Sequence, residues 1–587
     1  QAPYTISGTS YDGGSSVNTV KVKVRRNTDN YWWSATNGDF IDSESDSNAV
    51  GVNPWTREIT AGLLDGTSYF VQTSAWDQVP SIEAYPGGGS RTFWVDYSSP
   101  TSAVLQPVTG RYYKSLPGLS GTANDATAGV KEVGILLQDL TRGASYWNAV
   151  SLAWETDPVY STAAIGGARP DYTWQLAAPA FTQDARYLAV SRAKDHSLPS
   201  LTDSVFDVGT DSNTFIYDVV KPTSAVTLPV NGGIYGGAGN LIGTIRGTAF
   251  DSDTQYSGGP AAARKRVEQL YFAVRENWSD KWWDAGSSTF SAPSPVWHPA
   301  VFDTGNSWYW TGASTPTYVS GMQYLLRARS TDYAGNDESV FAAGRNEMLF
   351  TYDTVSPDAG ITYPVNTAHY NSLTTASGTA YDAIGMAADS AEFALREIGG
   401  NWWSGSTFTA AGETWLKANN GAGTSVVWST GTLQFRTDYT YGLKARGVDR
   451  GGNTGAATAE LQFVYDITPP TATVVVPMNG GRYNSLAALW GSSMDTAPGI
   501  WERVEVKIQD LGPASVGYYN AAGAGSWQAG AVWNSTETTG NFKIWASSWT
   551  YDVGSLWTNG HRYLVTARAK DKAGNYQAGF DVGNSSN

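Results

Sequence analysis

Residues 17–24 read Val-Asn-Thr-Val-Lys-Val-Lys-Val, apolar and polar side chains alternating with a period of two. The same alternation returns at residues 130–137, 267–274 and 504–508. A period of two predicts strands with one buried face, and helical stripes are not evident. Between these stretches, Asn37-Gly38, Asp65-Gly66, Asn231-Gly232-Gly233 and Asn479-Gly480-Gly481 supply the tight turns that short strands need. The expected fold class is all-β, of the sandwich type.

The strands recur in a fixed frame. A Gly is followed four residues on by an Asp at Gly8/Asp12, Gly121/Asp125, Gly247/Asp251, Gly378/Asp382 and Gly491/Asp495. Farther along, a Tyr precedes an Asp by eight at Tyr69/Asp77, Tyr187/Asp195, Tyr324/Asp332, Tyr441/Asp449 and Tyr563/Asp571. Between the two signals the chain takes 61, 66, 77, 63 and 72 residues from Gly to Tyr, so insertions fall in the middle loops. Asp96, Asp218, Asp353 and Asp466 stand between copies, each followed by Pro at +4 and +11 and by Tyr at +17. Self-similarity at this period marks a tandem array of five domains, with boundaries at 1–96, 97–218, 219–353, 354–466 and 467–587. A fifth of 587 residues is ample for an independent core, so these are beads and not thin solenoid turns.

In three copies the second Tyr follows a turn Gly by three (Gly66/Tyr69, Gly321/Tyr324, Gly560/Tyr563), the spacing of a tyrosine corner at the start of strand F. Strand B is then the Ser-Gly-Thr segment, as in Ser377-Gly378-Thr379. Three further features carry a resemblance: the joint Tyr465-Asp466-Ile467-Thr468-Pro469-Pro470, the Ser-Gly-Thr-Ala-x-Asp segments ending at Asp125 and Asp382, and the Asp-x-Ala-Gly-Asn turns ending at Asn336 and Asn575. The whole chain resembles the immunoglobulin-like repeats of large bacterial surface proteins and giant adhesins. That resemblance implies an extracellular, cell-surface stalk or extender, in a family some of whose members bind calcium between adjacent domains. The copies differ in the turn: the first two lack it (Asp77-Gln78-Val79-Pro80; Asp195-His196-Ser197-Leu198), and the fourth has Gly451-Gly452-Asn453.

Composition narrows the partners. The net charge of -15 comes without any basic stripe, which argues against nucleic acid. Cysteine is absent, removing disulfides, thiolate metal sites and Cys nucleophiles together. No apolar run approaches the length of a membrane span. His196, His298, His369 and His561 share no repeat position and no nucleophile motif stands out, so no catalytic site is expected and no cofactor need be required.

The aspartates are the candidate site. In an immunoglobulin-like sandwich strands B and F end at the pole where the preceding domain enters, and the joint Asp arrives there too. This would gather Asp96, Asp125 and Asp195; Asp218, Asp251 and Asp332; Asp353, Asp382 and Asp449; and Asp466, Asp495 and Asp571. Three carboxylates in one place repel unless neutralised, and Ca²⁺ accepts six to eight oxygens in flexible geometry. Alternatively each Asp caps its own turn through backbone N–H groups. The 25 tryptophans fall partly in register (Trp32-Trp33, Trp147, Trp282-Trp283, Trp402-Trp403), as a core residue would, although exposed rings could stack on sugars. Asn277, Asn534 and Asn584 match the glycan-acceptor motif.

The function expected from these features is a non-catalytic stalk, filament or adhesin extender. Its rivals are a glycan- or surface-binding module using the Trp-rich loop 277–312, and the non-catalytic part of a secreted polysaccharide-active enzyme. The first copy opens just before its strand B and the fifth closes early in its last strand. Either the sequence is an excerpt of a longer chain, or an open edge takes a strand from an identical molecule.

Overall fold

The computed structural model describes residues 4–79, 81–85, 89–141, 143, 145–204, 207–238, 240, 242–251, 267–303, 305–311, 316–513, 517–522, 525–535 and 542–587. Residues 1–3 of the opening segment, Pro80 and Gly312 lie outside them. Regular structure among the described residues is entirely β, and immunoglobulin-like sandwiches follow one another along the chain.

The second repeat shows the plan. Strands D (Ala164–Ala168), E (Asp171–Ala177), B (Gly118–Asn124) and A (Thr101–Gln106) form a four-stranded sheet in that order. Against it packs a seven-stranded sheet containing A′ (Tyr112–Tyr113), G (Ser212–Tyr217), F (Arg186–Asp195) and C (Val130–Asp139). All its pairings are antiparallel except A′ with G. The period-two pattern is what builds it: along strand F every second residue from Tyr187 is buried, and strand C buries Val133, Ile135 and Leu137. Trp174 and Leu119 from one sheet meet Tyr187 and Ile135 from the other in a single core. The large apolar clusters of the other repeats likewise draw on one repeat each. The two sheets hold eleven strands between them, because the variable middle loops add short strands of their own.

Copies differ at the margins. In the fourth, strands B and C are one continuous strand, Ser377–Glu397, that joins both sheets. In the first, strand B (Tyr4–Gly8) pairs with strand E (Trp55–Ile59) alone among the described residues. In the fifth, the position of strand G beside strand F is taken by an isolated bridge of Ser586 with Thr566, and Asn587 and Val565 exchange backbone hydrogen bonds of 2.9 and 2.7 Å.

Both spacing signals have packing causes. A Cβ on Gly121 would lie 1.9 Å from the strand A carbonyl of Ala103 and 2.4 Å from the Trp174 ring. Gly247, Gly378 and Gly491 face the same two obstacles, a strand A carbonyl at 2.0, 1.9 and 1.7 Å and the ring of Trp308, Trp428 or Trp549. The Gly is there because backbone and indole both close on it. The Tyr of strand F is a tyrosine corner in every copy: the hydroxyls of Tyr69, Tyr187, Tyr324, Tyr441 and Tyr563 accept from the N–H five residues upstream at 2.7–2.9 Å. A second corner follows each joint, where Tyr113, Tyr235, Tyr370 and Tyr483 accept from the N–H of Val108, Val230, Val365 and Met478. This accounts for the Tyr at +17.

Candidate metal centres at the joints

Each joint is made where three strand ends converge. Strand G ends one residue before the joint Asp, as at Tyr217 before Asp218, and a buried Pro (Pro100, Pro222, Pro357 or Pro470) turns the chain into the next strand A. The joint Asp makes the same turn four times. Its Oδ1 accepts from the N–H two residues on, Ser98, Val220, Val355 and Thr468, at 2.9–3.0 Å. At the end of strand B, Asp125 Oδ1 accepts from Thr127 and Gly129, and Asp382 Oδ1 from Ile384 and Gly385. At the end of strand F, Asp195 Oδ1 accepts from Ser197 and Leu201, and Asp332, Asp449 and Asp571 accept from the N–H groups of Asn336, Asn453 and Asn575.

Turn capping engages most of these carboxylates, and the structure brings them together all the same. Asp96, Asp125 and Asp195; Asp218, Asp251 and Asp332; Asp353, Asp382 and Asp449; and Asp466, Asp495 and Asp571 each place one oxygen per residue within 4.8 Å of the others. Two oxygens bound to one Ca²⁺ at about 2.4 Å can be at most about 4.8 Å apart, so the spacing suits a shared ion. The second oxygens carry the sharper information. Oδ2 of Asp125, Asp195, Asp218, Asp353, Asp466 and Asp495 is buried without a hydrogen-bond donor, and Asp195, Asp218, Asp353 and Asp466 are at most 1% exposed. Buried anionic oxygens without donors are costly unless a cation faces them. In these six residues one oxygen caps a turn and the other is left for an ion, whereas both oxygens of Asp96, Asp332, Asp449 and Asp571 accept hydrogen bonds.

The electrostatics carry the same strain. Burial, followed by the charges of Asp125 and Asp195, holds the Asp96 carboxyl above its ordinary range. Burial raises Asp332 with help from Asp218, and Asp353 with help from Asp382 and Asp449. At the last joint burial is the leading cause again, and Asp495 and Asp571 push from nearby: Asp466 rises to about 7 and Asp495 to about 6. These are groups held apart from solvent and crowded by like charge.

Sequence reading missed two sets of joint residues. Asn336, Asn453 and Asn575 each donate Nδ2 twice, to the carboxylate of their own strand F Asp and to the main-chain carbonyl of the joint Asp218, Asp353 or Asp466, all at 2.8–2.9 Å. The Asn turn thus clamps one repeat to the next, and the first joint, built on Asp195-His196-Ser197, has no Asn there. The other set lies in the turn before strand F of the preceding repeat. Gly66, Asp184, Gly321 and Asp438 have positive φ and donate N–H to the carbonyl just before each joint Asp. Beside them Gln183 Nε2 and Ser320 Oγ donate to Asp218 and Asp353, while Asp438 adds a fourth carboxylate next to Asp466. The signal was a polar residue four before the Tyr: Asp65, Gln183, Ser320 and Thr437.

Several other candidates are absorbed by packing, although Trp278 of the 277–312 loop is exposed. Trp33, Trp147, Trp283 and Trp403 are buried, and the rings of Trp297, Trp415 and Trp533 lie under the guanidinium groups of Arg329, Arg446 and Arg568 at 4.2–4.4 Å. Asn534 is 2% exposed and donates to Val506 and Tyr519 carbonyls, which withdraws it as a glycan acceptor. Among the described residues the groups of three or more acidic or histidine side chains close enough for one ion are these four triads, and no helix is long and apolar enough to cross a membrane.

No protein-family model matches the chain, and no curated protein does. Solved structures that it is similar to include the FN1–FN3 domains of chicken CNTN1, at 9% identity, 63% of this chain, 100% of that one and a TM-score of 0.24. The fibronectin(III)-like modules of Clostridium thermocellum CbhA match at 12% identity, 43% of this chain, 94% of theirs and 0.20. The EC1-4 domains of Drosophila N-cadherin match at 10% identity, 78% of this chain, 94% of theirs and 0.17. What defines the protein's class is its own architecture, tandem immunoglobulin-like sandwiches with carboxylate triads where repeats meet.

Proposed function

We propose that the chain is an extracellular stalk or adhesin extender of a bacterial cell surface. In this reading it is divided at 1–96, 97–218, 219–353, 354–466 and 467–587, carries no catalytic site, and is stiffened by one Ca²⁺ at each of its four joints. The observation that carries the reading is the fourfold recurrence of a carboxylate triad, each with at least one aspartate whose Oδ2 is buried without a donor. Asp96, Asp218, Asp353 and Asp466 would be supplied by the joint, and the other two aspartates of each triad by the following sandwich. An ion shared in this way makes bending at the joint require breaking coordination. Ca²⁺ fits better than Mg²⁺, because Mg²⁺ needs shorter bonds and near-ideal octahedral geometry.

The test is small-angle scattering of the whole chain in calcium and in chelator. Stiff joints give a larger maximum dimension with calcium and a shorter, broader distribution of distances without it. Identical profiles in the two conditions would remove calcium from the account and leave the joints held by Asn336, Asn453 and Asn575 alone.

A further inference from the structure

Two tryptophans of the fifth repeat face away from its core on one side of one sheet. That sheet runs in the order A (Thr471–Ala472), B (Ala488–Met494), E (Ser548–Asp552) and D (Phe542–Trp545). Strand alternation divides it: Leu489, Ser493, Trp549 and Tyr551 are buried, while Trp490, Ser492, Thr550 and Trp545 fall on the opposite face. Trp490 is 43% exposed and Trp545 52%. Trp297, Trp415 and Trp533 lie under guanidinium groups, a cover that Trp490 and Trp545 lack among the described residues.

The pairing register fixes how the two indoles are related. Trp490 is opposite Thr550, which is opposite Lys543 on strand D. One step along, Ser492 is opposite Ser548, which is opposite Trp545. The indoles are therefore two strands apart across the sheet and two residues apart along it, which sets their Cβ atoms about 12 Å from each other. Thr550, Ser548 and Ser492 floor the interval with small hydroxyl side chains. Lys543 and Asp552 flank it 3.9 Å apart, so their charges balance.

The sister repeats have no aromatic ring at either position. The residue before the invariant Gly is Ser7, Ser120, Arg246 and Ser377 in the other four. At the strand D position, opposite the residue before the strand E Trp, stand Gly166, Asp303 and Gly421 in the second, third and fourth. The buried tryptophans recur because every sandwich needs a core. These two occur once, together, on the face turned from it, so core packing does not account for them. Apolar surface set in a polar frame marks a contact site.

We propose that this face binds a neutral β-linked polysaccharide whose pyranose rings carry equatorial hydroxyls. Such a ring turns axial C–H groups to its two faces, which makes them flat and apolar and suits them to stacking on indole. Its hydroxyls project from the rim, where Thr550, Ser548, Ser492 and Lys543 supply donors and acceptors. The hydroxyl floor between the indoles fits a sugar better than an apolar protein surface, and the balanced charge of Lys543 and Asp552 gives an anionic glycan no advantage. Trp490 and Trp545 each take one ring of the polysaccharide, with the chain between them crossing Thr550 and Ser548. The site uses none of the joint aspartates, so it stands whether or not the joints hold calcium.

The probes are cellohexaose and chitohexaose, chains of β-linked glucose and of β-linked N-acetylglucosamine, with maltohexaose as the α-linked control. Each is titrated into the whole chain by calorimetry, and hydrogen exchange is read by mass spectrometry. At least one β-linked oligomer should bind with one site per molecule and slow exchange in residues 488–494 and 542–552, and the tighter of the two identifies the sugar. Trp490→Ser, the residue of three sister repeats, and Trp545→Ala should each weaken binding about tenfold without lowering the melting temperature. Trp278→Ala, at the exposed ring of the 277–312 loop, should leave binding unchanged. No binding of either β-linked oligomer at millimolar concentration, equal binding of maltohexaose, or unchanged binding by the Trp490→Ser, Trp545→Ala double variant would overturn the proposal. So would self-association of the chain that the double variant abolishes, because the face would then be an interface between copies.

Discussion

Calcium titrated into the metal-free chain at pH 6 should expel protons from the joint around Asp466. Burial and the neighbouring carboxylates raise Asp466 to about 7 and Asp495 to about 6, and a bound divalent ion requires both to ionise. At pH 6 a group of pKa about 7 is about nine-tenths protonated and one of about 6 is about half protonated, so this joint should release roughly 1.4 protons per ion. At pH 8 the same sum falls to roughly 0.1. The two groups titrate as a pair, so the sum is the quantity to measure. Asp96, Asp332 and Asp353, also raised, add to release at the other joints in the same direction. Calorimetric titration in two buffers of different ionisation enthalpy gives the proton count directly, and the difference between the chain and Asp466→Asn isolates this joint. Calcium binding that releases no more protons at pH 6 than at pH 8 would refute the reasoning, as would a variant that releases as many as the unaltered chain.

Without metal the same shifts set the pH dependence of stability: a carboxyl raised in the folded state contributes stability present below about pH 4 and lost as pH rises through about 6 to 7. The chelated chain should therefore melt higher at pH 5 than at pH 8, and calcium should erase or invert the difference. Asn575→Ala removes hydrogen bonds to Asp466 O and Asp571 Oδ2, both 2.8 Å, and should cost about 1–3 kcal/mol at that joint, read as faster hydrogen exchange in residues 466–470. Gly247→Ala drives a Cβ into a backbone carbonyl and an indole and should lower stability by about 3 kcal/mol or more, while Gly412→Ala, with open space around it, should melt within a degree or two of the parent.

Offsets that lie within one strand or one tight turn were readable, because nothing can be inserted there without moving a side chain to the wrong face. That is why the +4 and +8 spacings led to strands B and F and to the residues that meet at each joint. Trp55, Trp174, Trp308, Trp428 and Trp549, which cover the invariant Gly, went unread although they are core residues. They follow the variable loops, so counted from the Gly they drift, whereas counted back from the strand F Tyr they stay 13 to 16 residues away. The Asn clamp was visible as a turn motif but not as a contact, since its partner is a main-chain carbonyl in the joint and leaves no mark on residue identity. That one carboxylate could both cap a turn and present an oxygen inward required coordinates, because sequence cannot divide the two oxygens of one Asp.

Strand A′ runs parallel to strand G in the second, third and fourth repeats, pairing Tyr112–Tyr113 with Ile216 and Tyr217, Gly233–Tyr235 with residues 350–352, and His369–Tyr370 with Val464 and Tyr465. The chain enters each of these repeats through strand A, passes directly to A′, and leaves at the end of G. Tension along the array therefore draws the two strands in opposite directions along their common axis, and their cross-links are loaded together in shear instead of opening one by one. Each of these three repeats meets a pull with its pairing and its second tyrosine corner at once, so an extended array should yield in discrete steps at high force rather than lengthen smoothly.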